Sequence, residues 1–377
     1  MSELRQRART GSVHLIFASL GRSQITGLAF TSKGRKSLRE IDQWWFPFQQ
    51  IIVSKSFIVV RRVLCAGKGG RSVAYVRLAF KALAGLVAFL ALLACSQIYR
   101  NSGTAPLPPK DESVLRVATY NVHYISVRRE TGPWSLADWD RRKAPLDEAF
   151  KYIAADLVAF QEMESHSGPE ETQENLALDY LLANNPEFAA AASGDPAIFP
   201  NTQPFLYRRD RLRMTDQGWF FFSDTPDTLY SRTFNGSYPA YASWAAFEDR
   251  ETGVEFRAVN IHTDFSSRSN RLQSVELVAD RIKPWVAAGE TILVMGDLNA
   301  RLGDTTLQVL EAEGITFAPV QGATYHFNRG LNLFGAIDHI GWVGDVRSTS
   351  RPTVIRQRFS KEWPTDHYPY LIDLRLK

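Results

Sequence analysis

The residues best suited to catalysis lie in two short stretches, each of which directly follows a strand-like or turn-like run. Gly-Asp-Leu-Asn-Ala occupies residues 296–300 after the apolar run 291–295, and Thr-Asp-His-Tyr-Pro occupies residues 365–369 after Trp363-Pro364. Carboxylate, amide and imidazole groups can bind a hard cation, position a water molecule and transfer protons. In α/β proteins such groups collect at one edge of a sheet, where the strands end. The two stretches therefore predict catalytic groups at a common sheet edge.

Further polar residues follow the same rule, because each stands at or just beyond the end of an apolar segment. In chain order the set is Asn121, Glu162, His262, Asp297, Asn299, Asp338, Asp366 and His367. Taken alone, each has an ordinary interpretation: Asp297-Leu298-Asn299 is typical of a turn or a helix N-cap, and Glu162 of a solvated strand end. Only the ordered set indicates that they converge on one site.

The segments that carry these residues resemble the successive motifs of the endonuclease/exonuclease/phosphatase superfamily, and the resemblance covers residues 113–377. They are Thr119-Tyr120-Asn121-Val122, Gln161-Glu162, Asn260-Ile261-His262, Gly296-Asp297-Leu298-Asn299-Ala300, Ile337-Asp338-His339-Ile340 and Thr365-Asp366-His367. The resemblance implies an α/β fold in which two packed mixed β-sheets are flanked by helices, a four-layer sandwich like that of DNase I. It also implies Mg²⁺-dependent hydrolysis of phosphoesters, with Mn²⁺ as an alternative ion.

By the pattern of that superfamily, Glu162 is expected to ligate the metal, with Asn121 and Asp366 beside it. Oxygen ligands suit Mg²⁺, which keeps much of its water and needs few carboxylates. Phosphodiester hydrolysis needs a cation on a non-bridging oxygen, a water molecule in line with the leaving oxygen and a donor for that oxygen.

The same resemblance assigns roles to the remaining five residues. His367 is expected to act as general base or as a cation that stabilises the phosphate, and Asp338 to orient it through the other ring nitrogen. Asp297 is expected to position the attacking water, Asn299 to hold a phosphate oxygen and His262 to protonate the leaving group.

Alternating apolar runs and amphipathic stretches after Pro109 predict sheets covered by helices. The predicted strands are 115–120, 157–160, 256–261 and 291–295, and the predicted helices are 140–155 and 269–288. His339 is predicted to be structural, since strand alternation points it away from Asp338. Tyr207 either contacts phosphate or only packs. Residues 219–222 are either a membrane-binding aromatic hairpin or, as we expect, a buried strand.

Three further histidines and one loop complete this part of the sequence. His123, His166 and His326 are expected to be ordinary loop or edge residues. Residues 324–329, which include Arg329, form either a candidate substrate loop or a solvated loop.

The N-terminal part differs from the rest in charge and pattern. Residues 1–75 carry 13 Lys and Arg but only three acidic residues, and are expected to be a disordered basic extension or a mis-assigned start, with a true start near Val73 or Val76. Residues 76–95 are expected to form a signal peptide or membrane anchor, because residues 83–94 are uncharged and apolar. Leu92-Leu93-Ala94-Cys95 resembles a lipoprotein lipobox. Residues 96–112 are the expected linker, and 113–377 the catalytic domain.

The apolar run and the basic extension each have more than one interpretation. The apolar run is a signal segment, an uncleaved anchor helix that begins near Ala74, or a buried globular helix. The basic extension, if translated, would be a cytoplasmic tail that binds a partner. We expect a monomer of the bacterial cell envelope, held at the membrane through lipid on Cys95 or through the anchor helix.

Charge and cysteine content restrict the function classes. Residues 111–377 hold 27 basic and 37 acidic side chains, which argues against a broad electrostatic grip on nucleic acid without excluding a metal-dependent nuclease. No Cys follows Cys95, so a Cys-based zinc site is excluded from this region. The expected function is a phosphodiesterase or endonuclease. The alternatives are a hydrolase of phospholipids or small phosphoesters, and a non-catalytic membrane-anchored binding module.

Overall fold

The computed structural model describes residues 70–103, 105–166, 174–236 and 238–377. The prediction for residues 1–75 therefore falls almost entirely outside the described residues. The chain divides into two compact units, residues 1–84 and 85–377. The second unit contains every predicted site residue.

Helix α1, Gly70–Asn101, is long and apolar enough to cross a membrane over its part from Ala74 to Asn101. The helix is thus longer than the uncharged run alone indicated, and Cys95 lies exposed within it. Lipidation of Cys95 and the domain limits given above stay predictions.

The first sheet has seven strands in the order β13-β15-β1-β3-β6-β5, with β14 paired to β15. Its strands are β1 (Leu115–Asn121), β3 (Leu157–Gln161), β5 (Phe188–Ala191), β6 (Phe205–Arg208), β13 (Val346–Ser348), β14 (Thr353–Val354) and β15 (Tyr370–Leu376). β1 and β3 are parallel, so Asn121 and Gln161 end side by side, while β15 runs antiparallel to β1. The end of β1 therefore lies beside the start of β15.

The second sheet has six strands in the order β11-β12-β10-β9-β8-β7. Its strands are β7 (Leu212–Phe221), β8 (Tyr241–Asp249), β9 (Glu255–His262), β10 (Ile292–Asp297), β11 (Thr316–Phe317) and β12 (Asp338–Val343). β9 and β10 are parallel, and Asp297 pairs with His262 on one side and with Asp338 on the other. Three predicted site residues therefore stand in one row. A small separate ladder joins β2 (Ile125–Ser126) to β4 (Ser165–His166).

Four layers result because each sheet is apolar on both faces. Along β1, Leu115 and Val117 enter the core between the sheets, whereas Ala118 and Tyr120 face the helices. Those helices are α2 (Leu136–Ile153) and α3 (Leu176–Asn184). The second sheet is covered by α4 (Arg268–Ala287) and α5 (Thr305–Ala312). The expected four-layer α/β sandwich is confirmed.

The observed elements agree with the predicted strands and helices to within a few residues at each end. The expectation of a buried strand at 219–222 is confirmed for Phe220 and Phe221, and Phe222 is buried directly after that strand. An exposed aromatic hairpin there is wrong. Residues 96–112, the predicted linker, supply the last part of α1 and a segment that contacts the domain, since Lys110 Nζ lies 2.6 Å from Asp156 Oδ1.

Gly296 determines how closely β10 approaches β9. Its φ is +144°, and a Cβ atom at this position would lie 1.9 Å from the carbonyl oxygen of Ile261. Only glycine combines this backbone conformation with that contact. The residue thus fixes the spacing of the strands that carry His262 and Asp297.

We predict that Gly296→Ala lowers the free energy of unfolding by about 3 kcal/mol or more, because backbone would have to move against backbone. Gly289→Ala is the matched control, since Gly289 has φ +78° but open space around its Cβ position. That variant should lose roughly 1 kcal/mol from backbone strain alone. Chemical denaturation of the purified proteins measures both, and equal losses would contradict the prediction.

Candidate active site

Asp297 lies at the centre of the polar cluster and is buried, with 2% of its side chain exposed. Its Oδ1 accepts the backbone N–H of Asn299 at 2.9 Å, and its Oδ2 accepts Asn121 Nδ2 at 3.2 Å. Nε2 of His367 and Nε2 of His262 lie 3.6 and 3.8 Å from the same Oδ2. One carboxylate therefore connects residues from both sheets.

His367 links Asp297 to a second buried carboxylate, that of Asp338. Nδ1 of His367 lies 2.9 Å from Asp338 Oδ2, and the side chains are 6% and 1% exposed. Burial opposes the imidazolium, but the charges of Asp338, Asp297 and Asp366 outweigh it and raise the pKa of His367. Burial and the neighbouring Asp338 likewise raise the pKa of Asp297. The raised pKa of His367 favours its protonated form, and the 2.9 Å contact to Asp338 fixes the orientation of the ring.

His262 and Asn121 connect this row to Glu162. Nε2 of His262 lies 3.8 Å from Glu162 Oε1, and Asn121 Nδ2 donates to that oxygen at 3.1 Å. The Oδ1 atom of Asn121 accepts the backbone N–H of His123 at 3.2 Å. Asn121 therefore directs its amide nitrogen at two carboxylates, and a ligand role for its oxygen requires the amide to turn over.

Asp366 stands on the other side of the cluster and faces His123, a residue that sequence reasoning left as an ordinary loop position. Nε2 of His123 lies 3.9 Å from Asp366 Oδ2. Burial acts to raise the pKa of Asp366, but the imidazoles of His123, His367 and His326 outweigh it and lower that pKa. No motif in the sequence marked His123, although it follows Asn121 by two residues.

Asn299 borders an open cavity of about 530 Å³ next to this cluster. Its Nδ2 donates to Thr263 O at 2.9 Å, which leaves the second amide hydrogen free to donate to a ligand. Tyr325 also lines the cavity, and its ring centroid lies 5.0 Å from that of His367. The cavity therefore lies beside the cluster and opens to the surface.

Three residues of the site have left-handed backbone conformations: His123 with φ +63°, Glu162 with φ +54° and Asn299 with φ +45°. Each stands one or two residues after the end of β1, β3 or β10. Such conformations are uncommon for residues other than glycine and occur often at functional sites. The turns direct these side chains back toward the sheet edge.

The donor set fits a divalent cation. Among the described residues, the only ion-pair partners of Glu162, Asp297, Asp338 and Asp366 are histidines. Four carboxylates without a Lys or Arg partner leave negative charge that a bound ion would neutralise. Ligand atoms of Asp297, Asp338 and His367 lie within 4.8 Å of one another.

Two parts of the cluster are therefore candidates for the ion. A cation among Asp297, Asp338 and His367 would have to replace the 2.9 Å hydrogen bond between two nearly inaccessible side chains. Glu162 and Asp366 are 27% and 20% exposed, which suits an ion that retains water. Within the predicted set of Glu162, Asn121 and Asp366, the two carboxylates are thus the more accessible candidates for holding a metal ion.

Other sequence candidates lie outside the cluster. Tyr207 pairs with Leu157, at the opposite end of β3 from Glu162, and packs on Phe247 with 5.3 Å between ring centroids. Tyr207 is therefore a packing residue, and a phosphate contact is wrong. His339 is structural as expected, because it is buried and its Nε2 lies 2.8 Å from Ala300 O.

The predicted substrate loop 324–329 divides into two parts. Tyr325 and Arg329 are at least partly exposed, and Tyr325 faces the cavity. His326 is instead buried, with its ring 4.1 Å from that of Tyr368 and 4.5 Å from that of Trp363. Burial lowers the pKa of His326 to about 4.

The sequence model of the Endonuclease/Exonuclease/phosphatase family matches residues 118–367. The structure resembles an endonuclease/exonuclease/phosphatase from Bacteroides vulgatus, with TM-score 0.58, 24% identity and coverage of 70% of this chain and 99% of the other. A family protein from Bacteroides thetaiotaomicron gives TM-score 0.57, 20% identity and coverage of 69% and 97%. A mannosyl-6-phosphatase of the same species gives TM-score 0.55, 20% identity and coverage of 69% and 99%. No curated protein matches the sequence. At these identities the structural likeness concerns the fold.

We predict that His326 makes folding acid-sensitive. Since its pKa falls to about 4 in the folded state from 6.5, the unfolded state binds the proton first as the pH falls through that interval. His326→Phe should therefore reduce the stability lost between pH 7.5 and pH 4.5 by about 2 kcal/mol. Denaturant unfolding of both proteins at the two pH values measures the difference. An identical pH dependence for both would show that His326 does not contribute.

Proposed function

The chain belongs to the endonuclease/exonuclease/phosphatase family, and we propose that it is a divalent-metal-dependent phosphodiesterase attached to a bacterial cell envelope. Nucleases and phosphatases, which name the family, both hydrolyse phosphoester bonds. The proposal rests on the buried Asp297, which lies between two histidines and beside carboxylates that have no Lys or Arg ion-pair partner among the described residues.

In the proposed reaction Asp297 holds the attacking water and accepts its proton as the water oxygen forms the new bond to phosphorus. Asn299 donates an amide hydrogen to a phosphate oxygen, and His262 donates a proton to the leaving oxygen as its bond to phosphorus breaks. His367, kept protonated by Asp338, stabilises the negative charge that develops on the phosphate. Of the two roles open for His367 from the sequence, the raised pKa favours the cation over the general base.

A bound Mg²⁺ or Mn²⁺ would polarise a phosphate oxygen and neutralise its charge. We propose that Glu162 and Asp366 hold the ion through their accessible oxygens, with Asn121 beside them. His123, whose Nε2 lies 3.9 Å from Asp366 Oδ2, would help to position that carboxylate.

Nucleic acid is the first candidate substrate, because cleavage of a phosphodiester by a metal ion does not require a basic groove. A phospholipid or another small phosphoester is the second. The second is favoured by the loops at the sheet edge that carries Asp297, where exposed arginines are interspersed with acidic and apolar side chains. We propose that this protein acts as a monomer.

We predict that Asp297→Ala and His367→Ala each lower hydrolysis of a soluble aryl phosphodiester by about 10³-fold, since each removes a group that acts on the transition state. EDTA should abolish the wild-type activity, and added Mg²⁺ or Mn²⁺ should restore it. Asp224→Asn, an exposed carboxylate near the end of β7, is the matched control and should remain active.

The same proteins incubated with supercoiled plasmid separate the two substrate classes. Nicking that needs the metal and disappears in both variants would establish a nuclease. Hydrolysis of the aryl ester without nicking would place the substrate among lipids or small esters. A folded protein that hydrolyses neither, or an Asp297→Ala variant that retains activity, would refute the proposed function.

We also predict that Asp338→Asn moves the upper pH limit of activity downward. Asp338 raises the pKa of His367, so its loss lets the imidazole give up its proton about 1 to 3 pH units lower. Activity of the variant should fall above neutral pH, where the wild type remains active. The pH profile of kcat/KM measures this, and a profile of unchanged shape would show that the charge of His367 is not required.

A further inference from the structure

Exposed apolar side chains are concentrated at the sheet edge that carries the active site. Outside α1, eight large hydrophobic side chains are exposed in the described part of the chain. They are Tyr152, Ile198, Tyr230, Tyr238, Phe265, Leu302, Leu331 and Phe334. The most exposed are Ile198 at 71% and Phe265 at 63%. Seven of the eight lie on loops, and Tyr152 lies on α2.

The strand directions place all seven at one edge. Phe265 and Leu302 follow β9 and β10, whose ends carry His262 and Asp297. Leu331 and Phe334 precede β12, which runs antiparallel to β10 and begins beside its end. We call the sheet edge that these loops define the catalytic edge.

The other three residues reach the catalytic edge by the same argument. Tyr230 and Tyr238 lie between β7 and β8, where Phe221 pairs with Tyr241 and Ala242 pairs with Ile261. Ile198 lies between β5 and β6, and the start of β6 pairs with Ala159 near the end of β3. Large apolar side chains grouped at one edge in this way indicate a binding surface.

Exposed arginines alternate with these apolar residues. Arg232, Arg268, Arg301 and Arg329 stand within three positions of Tyr230, Phe265, Leu302 and Leu331 respectively, and all four are exposed. Arginine next to aromatic and aliphatic side chains is typical of segments that lie in a bilayer interface, because the guanidinium reaches the headgroups while the apolar side chain enters the acyl region.

Helix α1, the proposed membrane anchor, ends at this same region. The carbonyl of Asn101, the last residue of α1, accepts the backbone N–H of Ala323 at 3.0 Å. Nδ2 of Asn332 donates to Ser102 Oγ at 2.8 Å, and Nδ2 of Asn101 donates to Asn332 O at 3.3 Å. Arg356 also donates to Gly103 O. Asn101 is therefore fixed to the segment that carries Leu331 and Phe334.

Either form of attachment brings lipid close to that segment. If α1 spans the bilayer, the span ends at Asn101. If Cys95 carries lipid instead, only five residues separate it from Asn101. We propose that the loops of the catalytic edge dock on the surface of a phospholipid bilayer, with Phe265 and Leu331 inserted at the headgroup level.

Burial of apolar side chains, rather than attraction to anionic lipid, provides the contact. Asp195, Asp224 and Asp304 are exposed on the same loops and offset the arginines. Docking is therefore expected on neutral phosphatidylcholine and at high salt. This surface is inferred independently of the proposed reaction, and it opens the cavity toward the bilayer.

The test uses the full chain with Cys65→Ser and Cys95→Ser, reconstituted in phosphatidylcholine vesicles, with one new cysteine that carries an environment-sensitive fluorophore. The positions are Phe265→Cys and Leu331→Cys, with Thr252→Cys as the matched control. Thr252 is exposed in the turn between β8 and β9, at the opposite edge of the same sheet.

Labels at 265 and 331 should show blue-shifted emission and be quenched at least about twofold by lipids with a quencher near the headgroup. The label at 252 should remain in water and unquenched. Labels at 265 and 331 that behave like the label at 252 would overturn the proposal. Circular dichroism of the three labelled proteins shows whether each is folded.

Neither readout requires catalysis, so the docking surface and the proposed phosphodiesterase activity fail separately. Quenching at 265 and 331 in a protein without esterase activity would support docking and refute the reaction. Hydrolysis of the soluble ester by a protein whose labels stay in water would support the reaction and refute docking.

Discussion

The site depends on one buried carboxylate, that of Asp297, which makes contacts to both sheets. A charge removed from water is tolerated only where hydrogen bonds and opposite charges surround it. The first sheet supplies Asn121 and His367, and the second supplies His262 and the backbone of Asn299. The two sheets must therefore be in register at this edge, and a shift of either would leave Asp297 uncompensated.

Beneath this carboxylate, a second set of polar contacts holds the sheets in register. Nε2 of Gln161 donates to Asn260 Oδ1 at 2.7 Å, and Nδ2 of Asn260 donates to Phe160 O at 2.7 Å. These side chains are buried at the end of an otherwise apolar interface. Because an unpaired amide there is costly, the contacts favour one register of the two sheets over others.

The proposed membrane anchor and the proposed active site meet in the segment from Ala323 to Phe334. Tyr325 contacts His367, His326 packs under the site, and Asn332 bonds to Ser102 at the end of the anchor region. A bilayer at the catalytic edge would restrict which substrates reach the cavity, and an acidic domain on a mixed apolar and arginine rim is consistent with that arrangement. The proposed docking surface is formed by apolar loops that connect the strands of the two packed sheets. Such loops can carry this surface without altering the core between the sheets.

The sequence by itself predicted the principal strands and helices from hydrophobic periodicity, which is a local property. It also placed eight polar residues at strand ends, and their order gave the family resemblance that implied the fold class. It did not reveal His123 beside Asp366, the inward packing of His326 and Tyr207, or the bond from Asn332 to Ser102. It left the role of His367 open between base and cation. Those features arise where distant segments meet, so burial and neighbouring charge were decided only by the tertiary structure.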